Sequence, residues 1–240
     1  MNKLTLAKTH DFAGSDKPKL TVVFIHGIAS DSSAFSKSIA HFEAMKSLKD
    51  VRFITFDLLG SGKSKKSDEF NYDYDEQLSA LKNSLEEAKI NTPLILVGHS
   101  LGTFIVTRFA SKYAGMVSKL ILISAPVYTK EDLNNPAFPL ALKAFEDAVS
   151  IKNRDIVKEK SFINSMKNIV LDEKNYDTLS KIDLPTTIIY GDIDQIIASY
   201  NYPTLKKQNP NIKVHKTVGR HGVSHEKYFL IGEILEKELK

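Results

Sequence analysis

The chain has 240 residues, of which 42% are hydrophobic, so it can bury one sizeable core and hold one domain with an insertion. It contains no cysteine, which excludes disulfide bonds, thiolate catalysis and cysteine-ligated zinc. The formal net charge of +4 comes mostly from lysines, and the four arginines are scattered along the chain. This distribution lacks the clustered basic stripe of a nucleic-acid-binding surface, so we predict no nucleic-acid partner.

Apolar residues occur only in short runs. The N-terminal stretch MNKLTLAKTHDF lacks the apolar segment of a signal peptide. No run approaches the roughly 18 apolar residues that a membrane span needs. We therefore expect a cytoplasmic protein without a membrane partner.

The first two predicted strands each lead into a loop with a distinctive sequence. The runs LTVVFI (20–25) and VRFITF (51–56) are nearly continuous apolar stretches, as in strands covered on both faces. The first leads into His26-Gly27, where the histidine is expected to brace the loop and the glycine permits close backbone approach. The second leads into DLLGSGKS, which shares GKS with phosphate-binding loops. Asp57 stands where such a loop needs its first glycine, so we predict no nucleotide site.

The next helix and strand place a serine at a tight turn. Residues 73–89 carry leucines on one face and charges on the other, which predicts an amphipathic helix. The strand at 94–97 runs into GHSLG (98–102), and a helix-like stretch follows. In this setting a G-x-S-x-G sequence holds the serine on a strained turn with its hydroxyl above the sheet. Ser100 is therefore the predicted nucleophile, and the alternative is a serine that only caps the helix.

A serine nucleophile needs N–H donors for the oxyanion that forms on attack. The Leu101 N–H group, at the start of the following helix, is one predicted donor. The Ile28 N–H group, in the loop after His26-Gly27, is the second, because that loop also leaves the carboxyl edge of the sheet. These two groups form the predicted oxyanion hole.

The alternation of strands and helices breaks after the strand predicted at 119–124. Between Pro126 and Pro185 the patterns are helical and no strand run is evident. We therefore predict a core of residues 1–126 and 186–240, interrupted by a helical cap, or lid, of residues 127–185. The fold class is α/β, with a mostly parallel central sheet flanked by helices and a helical cap insertion.

Several apolar side chains of the predicted cap are candidates to bind substrate. The alternative for each is that it only packs the cap onto the core. The candidates are Phe138, Phe145, Phe162 and Met166.

The last two predicted strands introduce candidates for the base and for its acid partner. The strand at 186–190 leads into GDID, with Asp192 and Asp194. The strand at 212–218 leads into His221 and His225, and a final helix is predicted over 226–239. A serine needs a base, and the base needs a carboxylate that fixes its tautomer. The positions after the strands do not decide between the two aspartates or between the two histidines.

These motifs together resemble the α/β-hydrolase fold superfamily, in its serine-nucleophile, esterase-like and lipase-like branch. The matching stretches are HG (26–27), DLLGSGKS (57–64), GHSLG (98–102) and GDID (191–194). The resemblance runs from about residue 20 to the end of the sequence, apart from the insertion. Nucleophile, acid and histidine follow one another in the order typical of that fold.

The resemblance selects one acid and one base. In the family's G-x-x-D motif the last residue is the acid, which implies Asp194 and leaves Asp192 as a turn residue. The family histidine often follows G-x-G and precedes a glutamate by five residues. His221 has Glu226 at that distance, although Arg220 replaces the second glycine. The second histidine of the stretch is then a capping or surface residue.

The resemblance implies a serine carboxylesterase that cleaves a small, mainly apolar carboxylic ester. The catalytic triad is Ser100, His221 and Asp194, the intermediate is an acyl-enzyme, and no metal or organic cofactor is required. The expected partner is the small-molecule ester, and the oligomeric state stays open. The alternatives are a carbon–carbon bond hydrolase, thioesterase, lactonase or perhydrolase of the same fold, or a non-catalytic small-molecule receptor or binding protein.

Overall fold

The computed structural model describes residues 3–135 and 158–240, and strands in these ranges form a single mostly parallel sheet. The seven strands lie in the order β1-β3-β2-β4-β5-β6-β7. Their bounds are β1 (Ala7–Ala13), β2 (Leu20–Ile25), β3 (Val51–Asp57), β4 (Leu94–His99), β5 (Lys119–Ile123), β6 (Thr186–Gly191) and β7 (Ile212–Thr217). Strand β1 runs antiparallel to β3, and every other pairing is parallel.

Helices connect the strands. They are α1 (Ser36–Ala44), α2 (Tyr74–Glu87), α3 (Leu101–Lys112), α4 (Lys130–Leu133), α5 (Glu159–Ser165), α6 (Lys174–Ser180), α7 (Tyr202–Gln208) and α8 (His225–Glu238). Short 3₁₀ segments occur at Ser32–Phe35, Lys46–Leu48 and Ser199–Asn201, and a π-helical turn at Met166–Val170. None of the helices within the described ranges combines the length and the apolar character that crossing a membrane requires.

The α/β class with a mostly parallel sheet is confirmed, and six of the strands lie within two residues of their predicted bounds. Strand β1 was not predicted. Its sequence, AKTHDFA, lies at the antiparallel edge of the sheet, and none of its side chains is fully buried. An edge strand of this kind carries no continuous apolar run, so hydropathy gives no signal for it.

The sheet is covered on both faces, which explains the nearly continuous apolar strands. Successive side chains of a strand point to opposite faces. In β2, Val22 and Phe24 pack in the apolar layer of α1 and α8, whereas Val23 and Ile25 pack in the layer of α2 and α3. The inner strands, β2 to β6, are therefore mostly apolar on both faces, whereas the edge strands β1 and β7 are largely half-buried or exposed.

Between β5 and β6 the described residues form helices joined by loops, and none of these described residues is in a strand. This segment contains α4, α5, the π-helical turn and α6, and residues 136–157 lie outside the described ranges. The division into a core of 1–126 and 186–240 and a cap of 127–185 stays a prediction.

Helix α3 packs against β2 at a point where there is no room for a side chain. A Cβ atom on Gly102 would collide with the carbonyl oxygen of Ile25, and a Cβ atom on Gly98 would lie 2.5 Å from the Gly102 carbonyl oxygen. Both obstacles are backbone atoms, which cannot move aside as the end of a side chain can. The two glycines therefore set how closely the start of α3 approaches the sheet.

We predict that Gly102→Ala destabilises the protein, because the added methyl group forces α3 away from β2. The free energy of unfolding should fall by roughly 1–3 kcal/mol, the usual cost of overpacking. The matched control is Gly232→Ala in α8, where the added Cβ would meet its nearest atom at an ordinary 3.5 Å. The control should gain roughly 0.5–1 kcal/mol, because alanine restricts the unfolded chain and favours helix. Urea unfolding measures both, and equal stabilities for the two variants would contradict the packing argument.

Candidate active site

Ser100 occupies a strained turn between β4 and α3. Its backbone has φ 51° and ψ −119°, a region that residues other than glycine rarely adopt. The turn is held by hydrogen bonds from the Ser100 N–H group to the Ile123 carbonyl and from the Thr103 N–H group to the Ser100 carbonyl, both 2.9 Å long. The strain is therefore compensated by bonds to the sheet and to the first turn of α3.

The structure brings Ser100, His221 and Asp194 into one continuous series of hydrogen bonds. Nε2 of His221 lies 2.8 Å from Oγ of Ser100. Nδ1 of His221 lies 3.1 and 3.0 Å from the two carboxylate oxygens of Asp194. An ionised carboxylate can only accept, so Nδ1 carries the proton and Nε2 is free to accept the serine hydroxyl.

Asp194 stays ionised although its side chain has no exposed surface. Burial raises the pKa of this carboxyl group, but hydrogen bonds and the charge of His221 outweigh the effect, so the pKa lies below its usual range. The Ile196 N–H group donates at 3.1 Å, and the Ser124 hydroxyl also lowers the pKa. The carboxylate is thus available to orient the imidazole throughout the neutral and mildly acidic range.

Asp192 has a different position from Asp194 and binds the backbone next to His221. One of its carboxylate oxygens accepts the Gly219 N–H group at 3.1 Å. The Gly219 carbonyl in turn accepts the Ile193 N–H group at 3.2 Å. These bonds join the turn after β6 to the turn after β7, which brings the Asp194 loop and the His221 loop together.

His225 and Glu226 lie at the exposed start of α8. The His225 ring hydrogen-bonds the Tyr228 hydroxyl and packs edge-on against Phe229, with 4.3 Å between centroids. Glu226 is also exposed, and the neighbouring Lys227 is the residue that is buried beneath the His221 loop.

Sequence reasoning missed Lys227. The available signal was its place four residues before the buried Ile231. At that spacing, it belongs to the apolar face of the predicted helix.

The loop after β2 passes close to Ser100. A Cβ atom on Gly27 would lie 3.0 Å from the Ser100 Cβ atom. His26 braces this loop, since its Nδ1–H group donates to the Gly27 carbonyl at 2.8 Å and its Nε2 accepts the Leu58 N–H group at 2.9 Å. Burial lowers the pKa of His26, which fits the neutral ring that this bonding pattern requires.

The two backbone N–H groups predicted to bind an oxyanion belong to Ile28 and Leu101. In the part of the chain that the structure describes, neither the Ile28 N–H group nor the Leu101 N–H group has an acceptor. Leu101 is the first residue of α3, where N–H groups have no partner within the helix. That these two groups form an oxyanion hole stays a prediction.

Asp57 has a structural role in the loop DLLGSGKS. The two carboxylate oxygens of Asp57 accept the N–H groups of Ser32 and Lys63, each at 2.8 Å. The carboxylate therefore fills the centre of the turn, where a phosphate-binding loop would hold its ligand.

The predicted substrate-binding residues are described only in part. Phe162 and Met166 are buried in the same apolar layer as Leu101 and Phe104 of α3. Phe138 and Phe145 lie outside the described residues. That these four side chains contact the substrate stays a prediction. Across the described ranges, no group of three or more histidine, aspartate or glutamate side chains is arranged to hold a metal ion.

Comparison with known proteins places the chain in a family. Residues 21–150 match the model of the alpha/beta hydrolase fold. The chain belongs to this family. The resemblance found in the sequence motifs is thereby confirmed at the level of the superfamily.

Individual relatives are distant. The chain is 32% identical to probable lysophospholipase BODYGUARD 1 of Arabidopsis thaliana over 115 residues. This alignment covers 48% of this chain and 24% of that protein. It is 27% identical to the pimeloyl-[acyl-carrier protein] methyl ester esterase of Wigglesworthia glossinidia brevipalpis, over 92% of this chain and 94% of that protein. The chain thus spans only about a quarter of the length of the plant relative.

A solved structure supports the same fold. The bromoperoxidase from Bacillus anthracis superposes with a TM-score of 0.72 at 23% identity, over 95% of this chain and 94% of that one. At this identity the likeness concerns the fold alone.

His99, the residue before Ser100, is a half-buried neutral histidine. Its Nε2–H group donates to the His221 carbonyl at 2.9 Å, so it supports the loop that carries the imidazole. Burial of the ring, helped by the nearby His221 and Lys227 charges, lowers the pKa of His99 to about 3. The ring therefore stays uncharged in the folded protein at pH values where an unfolded histidine is protonated.

We predict that this group makes the protein less stable in acid. Between the unfolded pKa of 6.5 and the folded pKa of about 3 only the unfolded chain binds the proton, so the free energy of unfolding falls as the pH is lowered. At pH 5 the contribution of His99 should be a loss of roughly 2 kcal/mol. His99→Gln keeps an N–H donor and removes the titration, so urea unfolding should show a smaller loss between pH 7 and pH 5. An equal loss in both proteins would contradict this prediction.

Proposed function

We propose that the protein is a serine hydrolase that cleaves a small, mainly apolar carboxylic ester through an acyl-enzyme intermediate. The observation that carries the proposal is the distance of 2.8 Å between Ser100 Oγ and His221 Nε2, with Asp194 on the other side of the ring. Membership of the alpha/beta hydrolase fold family supports it.

The first half of the reaction forms the acyl-enzyme. Ser100 Oγ attacks the ester carbonyl carbon while His221 Nε2 accepts the hydroxyl proton, which makes a weak nucleophile reactive at neutral pH. Asp194 holds the Nδ1–H tautomer and stabilises the imidazolium that forms. When the tetrahedral intermediate collapses, Nε2 returns the proton to the departing alkoxide, and the alcohol leaves.

The oxyanion of the tetrahedral intermediate is assigned to the Ile28 and Leu101 N–H groups. Both lack an acceptor among the described residues, and Leu101 begins a helix whose partial positive charge adds to the attraction. Removal of one such donor costs other enzymes roughly a hundredfold to a thousandfold in rate.

The second half of the reaction hydrolyses the acyl-enzyme. A water molecule gives a proton to His221 Nε2 and attacks the acyl carbon, and the same two N–H groups hold the second oxyanion. Collapse breaks the bond to Ser100 Oγ, which recovers its proton from His221, and the carboxylic acid leaves.

The proposed bond is an ester, and the proposed pocket wall is apolar. One relative that matches nearly end to end is named for a methyl ester. We assign residues 127–185 as the lid of the site, with buried Phe162 and Met166 as parts of its wall. Carbon–carbon bond hydrolases, thioesterases, lactonases and perhydrolases would use the same serine, so the substrate assay has to separate them from an esterase.

We predict that the protein hydrolyses p-nitrophenyl esters and that Ser100→Ala lowers kcat roughly 10⁴-fold or more, because the variant has no nucleophile. Acyl chains from two to twelve carbons should be assayed by the release of p-nitrophenol. The chain-length profile identifies the size of the acyl pocket. Saturable ester binding without turnover in the wild type would instead indicate a receptor, and undiminished turnover by Ser100→Ala would place the nucleophile elsewhere.

We predict that His221→Ala abolishes turnover, whereas His225→Ala retains it within about twofold. Only the first ring contacts Ser100, and the second is exposed at the start of α8. The two variants are matched in substitution and lie four residues apart, so kcat for the same p-nitrophenyl ester compares them directly. The reverse result would exchange the assignments of the two histidines.

A further inference from the structure

Lys227 is a buried lysine in contact with the backbone of the candidate active site. Its side chain has no exposed surface. The ammonium group donates to the Arg220 carbonyl at 2.6 Å, to the Gly222 carbonyl at 2.8 Å and to Ser124 Oγ at 2.9 Å. The His221 carbonyl lies farther from the ammonium group, at 3.5 Å, so the three short bonds engage the three protons of the ammonium group.

The ammonium group is buried without a carboxylate partner. In the described parts of the chain no carboxylate oxygen lies within ion-pair distance of Nζ. Burial lowers the pKa of Lys227, and the charges of Asp194 and Glu226 oppose the effect. Burying a charge is costly, and an apolar side chain at this position of α8 would avoid that cost. Because packing alone would favour an apolar side chain, the buried charge of Lys227 needs another explanation.

Lys227 contacts the backbone beside His221 and a serine beside Asp194. Arg220 and Gly222 are the residues immediately before and after His221, so the ammonium group fixes the backbone on both sides of the ring. Ser124, which accepts the third bond, also lies close enough to Asp194 to lower its pKa. Lys227 is thus linked to the base through the backbone and to the acid through one hydroxyl group.

Ser124 itself is held in an unusual conformation. It follows β5, is fully buried and has φ 51°, although it is not a glycine. Its N–H group donates to the Ile189 carbonyl at 2.8 Å. Strain of this kind persists where surrounding bonds over-determine it, and it concentrates at functional sites. The strained backbone directs the hydroxyl group toward Lys227.

We propose that Lys227 is a positioning residue, whose ammonium group holds His221 and, through Ser124, Asp194 in the geometry that activates Ser100. This inference rests on the proposed function, since it concerns the efficiency of the same site. The competing explanation is that Lys227 stabilises the turn between β7 and α8 without affecting the alignment of the three side chains.

The test removes the ammonium group and keeps an unbranched apolar side chain that is one atom shorter. Lys227→Met should lower kcat for a p-nitrophenyl ester about a hundredfold with little change in KM, because misplacement of the base affects the chemical step. The matched control is Lys237→Met, an exposed lysine of the same helix, which should keep the kcat of the wild type. Rates are expressed per mole of folded protein, as measured by circular dichroism, so a loss of folded material alone does not count.

A double-mutant cycle separates positioning from simple stabilisation. In an Asp194→Asn background the site is already misaligned, so Lys227→Met should cost much less than in the wild type. If the two substitutions lower kcat by independent factors, so that the double variant shows their product, the proposal is overturned. If Lys227→Met does not fold, Ser124→Ala takes its place, since it removes the hydroxyl group that links Lys227 to Asp194. That variant should lower kcat about tenfold, and an unchanged kcat would overturn the proposal.

A second readout does not depend on turnover. The Nδ1 proton of His221, held by Asp194, should give a downfield proton resonance in the wild type and in Lys237→Met. In Lys227→Met the resonance should shift upfield or vanish through exchange with water, and an unchanged resonance would overturn the proposal. If Ser100→Ala and the wild type hydrolyse esters equally, the proposed function fails, and this resonance still decides whether Lys227 positions His221.

Discussion

The approach of α3 to β2 is the constraint on which the candidate active site depends. Backbone atoms fill the space where side chains at Gly98 and Gly102 would lie, so the chain turns sharply between β4 and α3. Ser100 sits at that turn with φ 51°. Its hydroxyl group is directed at His221, and the first N–H groups of α3 have no partner within the helix. One close packing contact thus positions both the proposed nucleophile and one of the proposed oxyanion donors.

The loop that carries His221 is held mainly by polar bonds. Asp192 binds the Gly219 N–H group, His99 binds the His221 carbonyl, and Lys227 binds the carbonyls on either side. Apolar packing resists separation but is not directional, whereas hydrogen bonds fix orientation. The imidazole of His221, the proposed base, has one nitrogen against a serine and the other against a carboxylate, and such an orientation needs directional support.

Much of the fold was predictable because the sheet is buried on both faces. The five inner strands are mostly apolar for that reason, and the glycines around Ser100 are required by local geometry. The edge strand β1 (Ala7–Ala13) was not predictable in the same way, because its half-exposed side chains leave no apolar run. Hydropathy reports burial, and this strand has little of it.

The surroundings of His221 were harder to predict, because they depend on how a helix meets a loop. The spacing to Glu226 pointed to His221, yet Glu226 is exposed and Lys227 is the buried neighbour. Helical periodicity identifies the face on which a residue lies. It does not show that backbone carbonyls of a loop face that side of the helix and can accept hydrogen bonds from a cation. The bond of Lys227 to Ser124 and the bond of Asp192 to Gly219 join parts of the chain that are far apart in sequence, so no local pattern indicates them.

The central claim is that Ser100 is a nucleophile aligned with His221 and with two oxyanion donors. The most direct measurement is a crystal structure of the protein after reaction with a fluorophosphonate, whose phosphonyl group imitates the tetrahedral intermediate. We predict a covalent bond from Ser100 Oγ to phosphorus, and a phosphonyl oxygen about 2.7–3.1 Å from both the Ile28 and Leu101 nitrogens. An unmodified Ser100, or an adduct whose oxygen points away from both N–H groups, would contradict the claim.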